Sequence, residues 1–297
     1  MIGPRRKRAR KLWSPTLAAT GWGESTFAEI EWSKSRGAVL RWAIVGVVVG
    51  ALAALLAGAP AAWLASSVAS ATKERVLLAD ARGTIWSGSA VAVLTGGADS
   101  RDASALPGRL SWTLHWQGLG FELRLEHACC LNGIVALKMR PGFGHTTYTL
   151  VPPAGWVGQW PAALLGGLGT PWNTMQLGGT VRLVSPGLKI DAVSGRAVID
   201  GKADFELVNV SSRLSTLDSL GSYRMSVVGD NANPGISNLQ LSTQQGALQL
   251  TGDGTAGPAG VRFRGEARAG AAEEPALSNL LNIIGRRDGA RSVISIG

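Results

Sequence analysis

The sequence predicts a mainly β protein: a single N-terminal transmembrane helix, then a large curled antiparallel β-sheet domain with one or two short helices. Three observations carry this reading. Residues 42–72 contain no charged side chain, which is ample for a spanning helix of roughly 20 apolar residues. Beyond residue 72 the pattern changes from continuously apolar to period two, the mark of strands with one buried and one solvated face. The excess positive charge lies just before the apolar run, where it acts as a topology signal.

The anchor comes first. Its core, AIVGVVVGALAALLAGA at residues 43–59, is followed by Pro60 and AAWLASSV. Arg41 and Trp42 on one side and Trp63 on the other sit where membrane-interface residues belong. Pro60 either kinks the outer end or marks where the span stops. The expected division is a basic, disordered cytoplasmic tail over 1–41, a transmembrane helix over 42–68, and a periplasmic β-rich domain over 73–297. The competing reading is a cleaved signal peptide ending at Ala69-Ser70-Ala71. It would need an unusually long N-terminal region and an apolar run beyond the usual length of roughly 7–15 residues. An uncleaved anchor in the inner membrane, N-terminus cytoplasmic, is the better fit.

Charge and composition exclude other classes. The net charge is +9 over 297 residues. Nine basic residues (Arg5, Arg6, Lys7, Arg8, Arg10, Lys11, Lys34, Arg36 and Arg41) stand against Glu24, Glu29 and Glu31 before residue 42. The remaining 20 basic and 17 acidic residues nearly balance. The charge therefore forms no basic folded face, and no nucleic-acid-binding module accompanies it. A charged fraction of only 16% and a mean hydropathy of +0.15 exclude a wholly disordered chain. Two cysteines are too few for a disulfide-built miniature fold.

The body reads as about a dozen strands. Leu110, Trp112, Leu114 and Trp116 alternate with Ser111, Thr113, His115 and Gln117. This puts both Trp112 and Trp116 on the core face. Phe121, Leu123 and Leu125 alternate with Glu122, Arg124 and Glu126, and the run 197–207 alternates similarly. Shorter strands are expected at 76–81, 84–94, 135–139, 146–151, 180–184, 223–228, 239–243, 247–251, 261–267 and 292–296, with Gly, Pro or Asn in most gaps. Two segments break the pattern with helical spacing, PAALLGGL at 161–168 and PALSNLLNII at 275–284. Each has Pro near its start, and Gly285 can end the second.

Catalytic motifs are missing. Ser87 lacks the first glycine of a nucleophile elbow, and the glycine clusters at 142–144 and 166–169 lack the rest of a phosphate- or dinucleotide-binding loop. The sequence implies no enzymatic activity, no cofactor and no metal. His127-Ala128-Cys129-Cys130 is the one cluster with metal flavour, the residue types of a soft copper site. In an oxidising compartment a vicinal disulfide, free thiols or an intermolecular bridge are all open to the two cysteines. Trp156, Trp160 and Trp172 lie between strands, where they either anchor a partner or plug the end of the sheet.

Four blocks carry a family resemblance. Residues 78–90, LADARGTIWSGSA, contain the pattern A-x-G-T-[VIL]-W-x-G-x-A. They are followed by LPGRLSW at 106–112, LGTPWN at 168–173 and LSNLLNIIGRR at 277–287. In order and spacing, over roughly residues 40–297, they resemble type II secretion system protein N, with the N-terminal extension as the main departure. The resemblance implies a non-enzymatic accessory inner-membrane component of the machine that exports folded proteins, and other secretion subunits as partners. It marks Gly83, Thr84, Trp86, Gly88, Pro107, Trp112, Pro171, Trp172 and Asn173 as signature or docking residues. Gly83 and Gly88 bracket a short segment read as extended, with a turn or bulge at each end. Two roles stand for that block: a structural corner of the first hairpin, or a docking surface. A looser likeness, to the AsmA-type periplasmic β-rich proteins, implies the alternative of a lipid-handling or envelope-maintenance protein. In that reading the small residues Ala197, Gly201 and Ala203 leave room for an acyl chain, a lipid ligand.

Overall fold

The computed structural model describes residues 22–193, 196–230 and 232–297. The chain forms two compact units, 1–58 and 59–297. In the first unit one helix, α1 (Trp22–Ala57), contains a stretch, Val39–Ala57, long and apolar enough to cross a membrane. The basic residues 5–11 lie outside the described residues. The helix already begins at Trp22, so residues 22–41, expected as disordered tail, are helical.

The apolar run does not continue as one helix. Pro60 disfavours helical geometry in the residue before it, and α1 stops at Ala57. A second helix, α2 (Ala61–Ala71), starts with Pro60 as its N-terminal cap. It belongs to the second unit, where Ala61 is buried with Ala90 and Trp112, and Leu64 packs beside them.

The second unit is built on one antiparallel sheet. Its first strands are β1 (Val76–Gly83), β2 (Ser87–Thr95), β3 (Ala103–Ala105), β4 (Leu110–Gln117) and β5 (Gly120–Glu126). Then come β6 (Val135–Gly142), β7 (His145–Val151), β8 (Gly158–Pro161), β9 (Leu177–Val193) and β10 (Arg196–Ser212). The last are β11 (Gly221–Gly229), β12 (Ser237–Gln245), β13 (Leu248–Gly257), β14 (Gly260–Ala269), β15 (Arg286–Asp288) and β16 (Arg291–Ile296). Neighbours run almost in chain order from β1 to β15, with β3 set beside β2 and β8 beside β9. Nearly every connection is therefore a hairpin, as period-two patterning with Gly-rich gaps demands. The sheet is open, with β1 and β15 at its ends.

Cross-strand register gives the sheet two chemically distinct faces. One row runs Phe121, Met139, Tyr148, Ile190, Ile199, and another Leu183, Phe205, Met225, Leu241, Gly252, Gly265, Ile294. On the opposite face Glu122, Lys138, Thr149, Lys189 and Asp200 stand in line. A β-bulge keeps the first face apolar along β9. Leu188 and Leu183 have opposite parity, so a regular strand would put one of them on the wrong face. Between the pairs Gly187–Lys202 and Val184–Asp204 the register shifts by one residue and restores the match. Ser185, buried there, donates its hydroxyl to the Lys202 carbonyl at 2.7 Å and accepts the Gly187 N–H at 3.2 Å.

The main core sits at one end of the apolar face. A 3-10 helix (Ala162–Leu168) and α4 (Glu274–Ile284) lie over it. Leu248, Leu277, Leu280 and Leu281 are the most deeply buried side chains there. Both expected helical segments are thus present, the first as a 3-10 helix. A one-turn helix not expected from the sequence, α3 (Trp172–Met175), follows it. In the core, the buried Tyr223 hydroxyl donates to the Leu248 carbonyl at 3.0 Å, and burial raises its pKa.

Candidate functional site

The first signature block folds into the β1–β2 hairpin. Gly83 pairs with Gly88 as the last rung, and residues 84–86 form the turn. The segment between the two glycines is a tight turn, where the sequence reading had it extended, and the strand expected at 84–94 starts at Ser87. Thr84 explains the closure: its Oγ1 accepts the N–H groups of Trp86 and Ser87, both at 3.2 Å. Such a side-chain turn competes with strand extension. Gly83 has φ +89°, and a Cβ there would lie 2.5 Å from the Ser87 carbonyl oxygen, so only glycine fits.

The second block docks onto this turn. Trp112, 2% exposed, lies over Gly88, where a Cβ would stand 2.5 Å from the indole ring. Its Nε1 donates to the Thr84 carbonyl at 3.2 Å, and the Leu114 N–H donates to the Trp86 carbonyl at 2.7 Å. Trp86 itself is half-buried, its ring centroid 6.3 Å from that of Phe121. Arg109, just before β4, completes the corner. Its guanidinium donates to the Asp80 carboxylate at 2.7 Å, the Asp80 carbonyl at 2.6 Å, and the Ser89 hydroxyl and carbonyl, each at 3.1 Å. Asp80 sits at the β1 bulge with φ +49°. The Arg109 hydrogen bond, then that of Arg82, holds its carboxyl below the usual range. Both Asp80 and Arg109 lie within the first two signature blocks but outside the signature residues that the resemblance marks. Their signal was the only pair of opposite charges available to meet across the two blocks.

The structure thus brings Gly83, Thr84, Trp86, Gly88 and Trp112 together, and places the other signature residues elsewhere. Pro107 lies at the far end of β4, its carbonyl oxygen 3.5 Å from the Cys129 sulfur. Cys129 and Cys130 occupy the turn after β5 and are joined as a vicinal disulfide. His127, buried beside them, accepts the Cys129 N–H on Nδ1 at 3.4 Å, while its Nε2 has no hydrogen-bond partner. Burial pushes its pKa down. The ligand atoms of His127, Cys129 and Cys130 lie within 4.8 Å of one another, but the disulfide spends the thiolates a soft metal requires.

Pro171, Trp172 and Asn173 lie at α3, near the far end of β2, with the Thr170–Pro171 peptide cis. Asn173 Nδ2 donates to the Asp102 carboxylate at 3.0 Å. From Gly88 to Leu94, where Gly167 of this region packs, is about 20 Å along the strand. Asn173 also lines a cleft of about 620 Å³ with Gln176, Ser212, Arg213 and Asp218. The Ser212 hydroxyl there donates to the Met175 carbonyl. Of the two interface tryptophans, Trp42 lies in α1 and Trp63, 52% exposed, in the first turn of α2.

Neither the curated proteins nor the solved structures yield a match to this chain. The family model for type II secretion system protein N matches residues 74–294. That stretch holds all four signature blocks and nearly the whole sheet, so the chain belongs to the type II secretion system protein N family.

Proposed function

We propose that this protein is a non-enzymatic accessory subunit of the type II secretion machine, anchored in the inner membrane through Val39–Ala57, with its N-terminus cytoplasmic. Its periplasmic sheet docks other subunits of the machine during export of folded proteins. The observation that carries the reading is the corner built by the first two signature blocks. Trp112, Gly88, Arg109 and Asp80 hold it, and the half-buried Trp86, beside Phe121, stands at its turn. A rigid turn presenting one aromatic side chain is the form a protein-docking anchor takes.

The test is a crosslinking pull-down from intact membranes with a tag after Gly297, run on the unaltered chain and on Trp86→Ala. Secretion-platform subunits should be recovered, and the substitution should reduce them without unfolding the domain. Recovery of lipid-transport or envelope-assembly proteins in their place overturns the reading.

One observation favours a second function, lipid handling. The apolar rows through Met139, Tyr148, Ile190 and Met225 are only half-buried along one face of the sheet. An acyl chain could occupy that strip. Native mass spectrometry of the purified protein should then show bound phospholipid, and its absence rejects this reading.

A further inference from the structure

Three neighbouring hairpin turns at one end of the sheet form an apolar rim. The turns β1–β2 (residues 84–86), β4–β5 (118–119) and β6–β7 (143–144) all lie at the same end, because Ser87 pairs with Thr113, Phe121 with Met139 and Gly142 with His145. Hairpin turns are ordinarily Gly, Asn, Asp and Ser. Here they carry Ile85, Trp86, Leu119 and Phe143, flanked by Trp116. Leu119 is 91% exposed, Phe143 fully exposed and Trp116 69% exposed. Alternation along β4 predicts Trp116 in the core, yet it is largely exposed, its ring T-shaped to that of Phe121 with centroids 4.7 Å apart. No charged residue occurs in 84–87, 116–119 or 141–144. The loops at the opposite end carry Asp99, Arg101, Asp102, Arg213 and Asp218.

The covalent chain ties this end to the anchor. Ala59 accepts the Ile85 N–H at 2.9 Å, and Pro60 bridges to Thr84. Ala59 is two residues past Ala57, the end of the apolar stretch, a reach of about 7 Å. Once that stretch is in a bilayer, the Ile85 turn is tethered at the membrane surface. The other two turns lie two and four strand spacings away along the same edge, the farther at about 19 Å. Aromatic and aliphatic side chains without charge, on rigid hairpins, are the composition of a bilayer interface contact.

We propose that Trp116, Leu119 and Phe143, on the edge that the Ile85 turn tethers, are seated in the outer-leaflet interface of the inner membrane. The proposal rests on Val39–Ala57 being a membrane span. Interfacial apolar side chains reach roughly 5–10 Å below the headgroups.

The experiment uses the full chain with Cys129 and Cys130 replaced by serine, reconstituted in phosphatidylethanolamine–phosphatidylglycerol vesicles. Single nitroxide labels are placed at Leu119→Cys, Phe143→Cys, Val48→Cys within the anchor and Thr216→Cys in the far loop. Collision with oxygen is compared with collision with an aqueous nickel chelate. The oxygen-to-nickel ratio should be several-fold higher at 119 and 143 than at 216, and highest at 48. A high ratio at 48 with water-like ratios at 119 and 143 overturns the rim while leaving the anchor standing. A water-like ratio at 48 overturns both. A low ratio at 119 and 143 that rises only when secretion subunits are added assigns the rim to a protein partner, and also overturns the proposal.

Discussion

Arg109 grips Asp80 twice, through its carboxylate at 2.7 Å and its backbone carbonyl at 2.6 Å, and so ties the start of β4 to the bulge in β1. The two contacts differ in kind. The ion pair is partly solvated, with side-chain exposures of 31% and 52%, and such pairs contribute little. The donations to the carbonyls of Asp80 and Ser89 pin the backbone itself. Arg109→Ala should therefore lower the melting temperature more than Asp80→Asn. The salt-bridge part also has a pH signature. Asp80 titrates lower folded than unfolded, where its value is about 3.9. Its contribution is present above that value and lost as pH falls through the folded one. Asp80→Asn should erase that part of the acid transition, and thermal melts from pH 3 to 5 check it.

Gly88 and Trp112 are one packing unit. A methyl at 88 would approach the indole at 2.5 Å and the Arg82 carbonyl at 2.6 Å, so the hairpin or the ring must move. Overpacking of this kind costs about 1–3 kcal/mol, and Trp112→Ala about 3–5 kcal/mol through the cavity it leaves. The double variant should cost less than the sum, because removing the ring removes half of the clash. Urea denaturation of the two single variants and the double measures the coupling. Strict additivity would show that the two residues do not share the site.

Much of this architecture was legible because a two-residue period survives any loop length. The hairpins through Leu110–Gln117 and Gly120–Glu126 and the long strand at Arg196–Ser212 follow from it directly. The second half of Leu177–Val193 was not legible. Ser185-Pro186-Gly187 reads as a turn, yet it is a bulge inside one continuous strand, a setting that tolerates Pro. Trp116 failed for another reason. Alternation gives the face of a side chain but not how far the cover extends, and cover runs out before the β4–β5 turn. At the signature corner Thr84 turned the chain through two side-chain hydrogen bonds, while the glycines on either side were visible as special backbone positions. The Arg109–Asp80 link needed the register between two strands, which no local pattern encodes.

His127 gives the fold a pH dependence distinct from that of the carboxylates. It is buried, its Nε2 has no partner, and burial pushes its pKa below the ordinary 6.5. The folded state then resists a proton that the unfolded chain accepts. Stability is full above about pH 6.5 and falls as pH drops toward the folded value. Asp80, Glu122, Asp191, Asp230 and Glu266 are all shifted downward, so they titrate below this window. His127→Gln should flatten the change in melting temperature between pH 5 and 7 while leaving the acid transition in place. An unchanged slope would assign that dependence to another group.

Ser185 sets the register that gives the sheet its apolar face. Its hydroxyl occupies both the Lys202 carbonyl and the Gly187 N–H, and at 3% exposure no water replaces it easily. Ser185→Ala leaves those backbone groups short of a partner, at a cost of about 1–3 kcal/mol. The loss should be local as well as global. Amide exchange should quicken over residues 181–190 and 199–206, where Leu183–Phe205 and Ile190–Ile199 flank the bulge, before it quickens in α4. Thr216→Ala, in the exposed far loop, should stay within about 0.5 kcal/mol of the unaltered chain. Uniform quickening across the sheet would mean that the bulge is held by packing on the apolar face and that the serine contributes nothing specific to it.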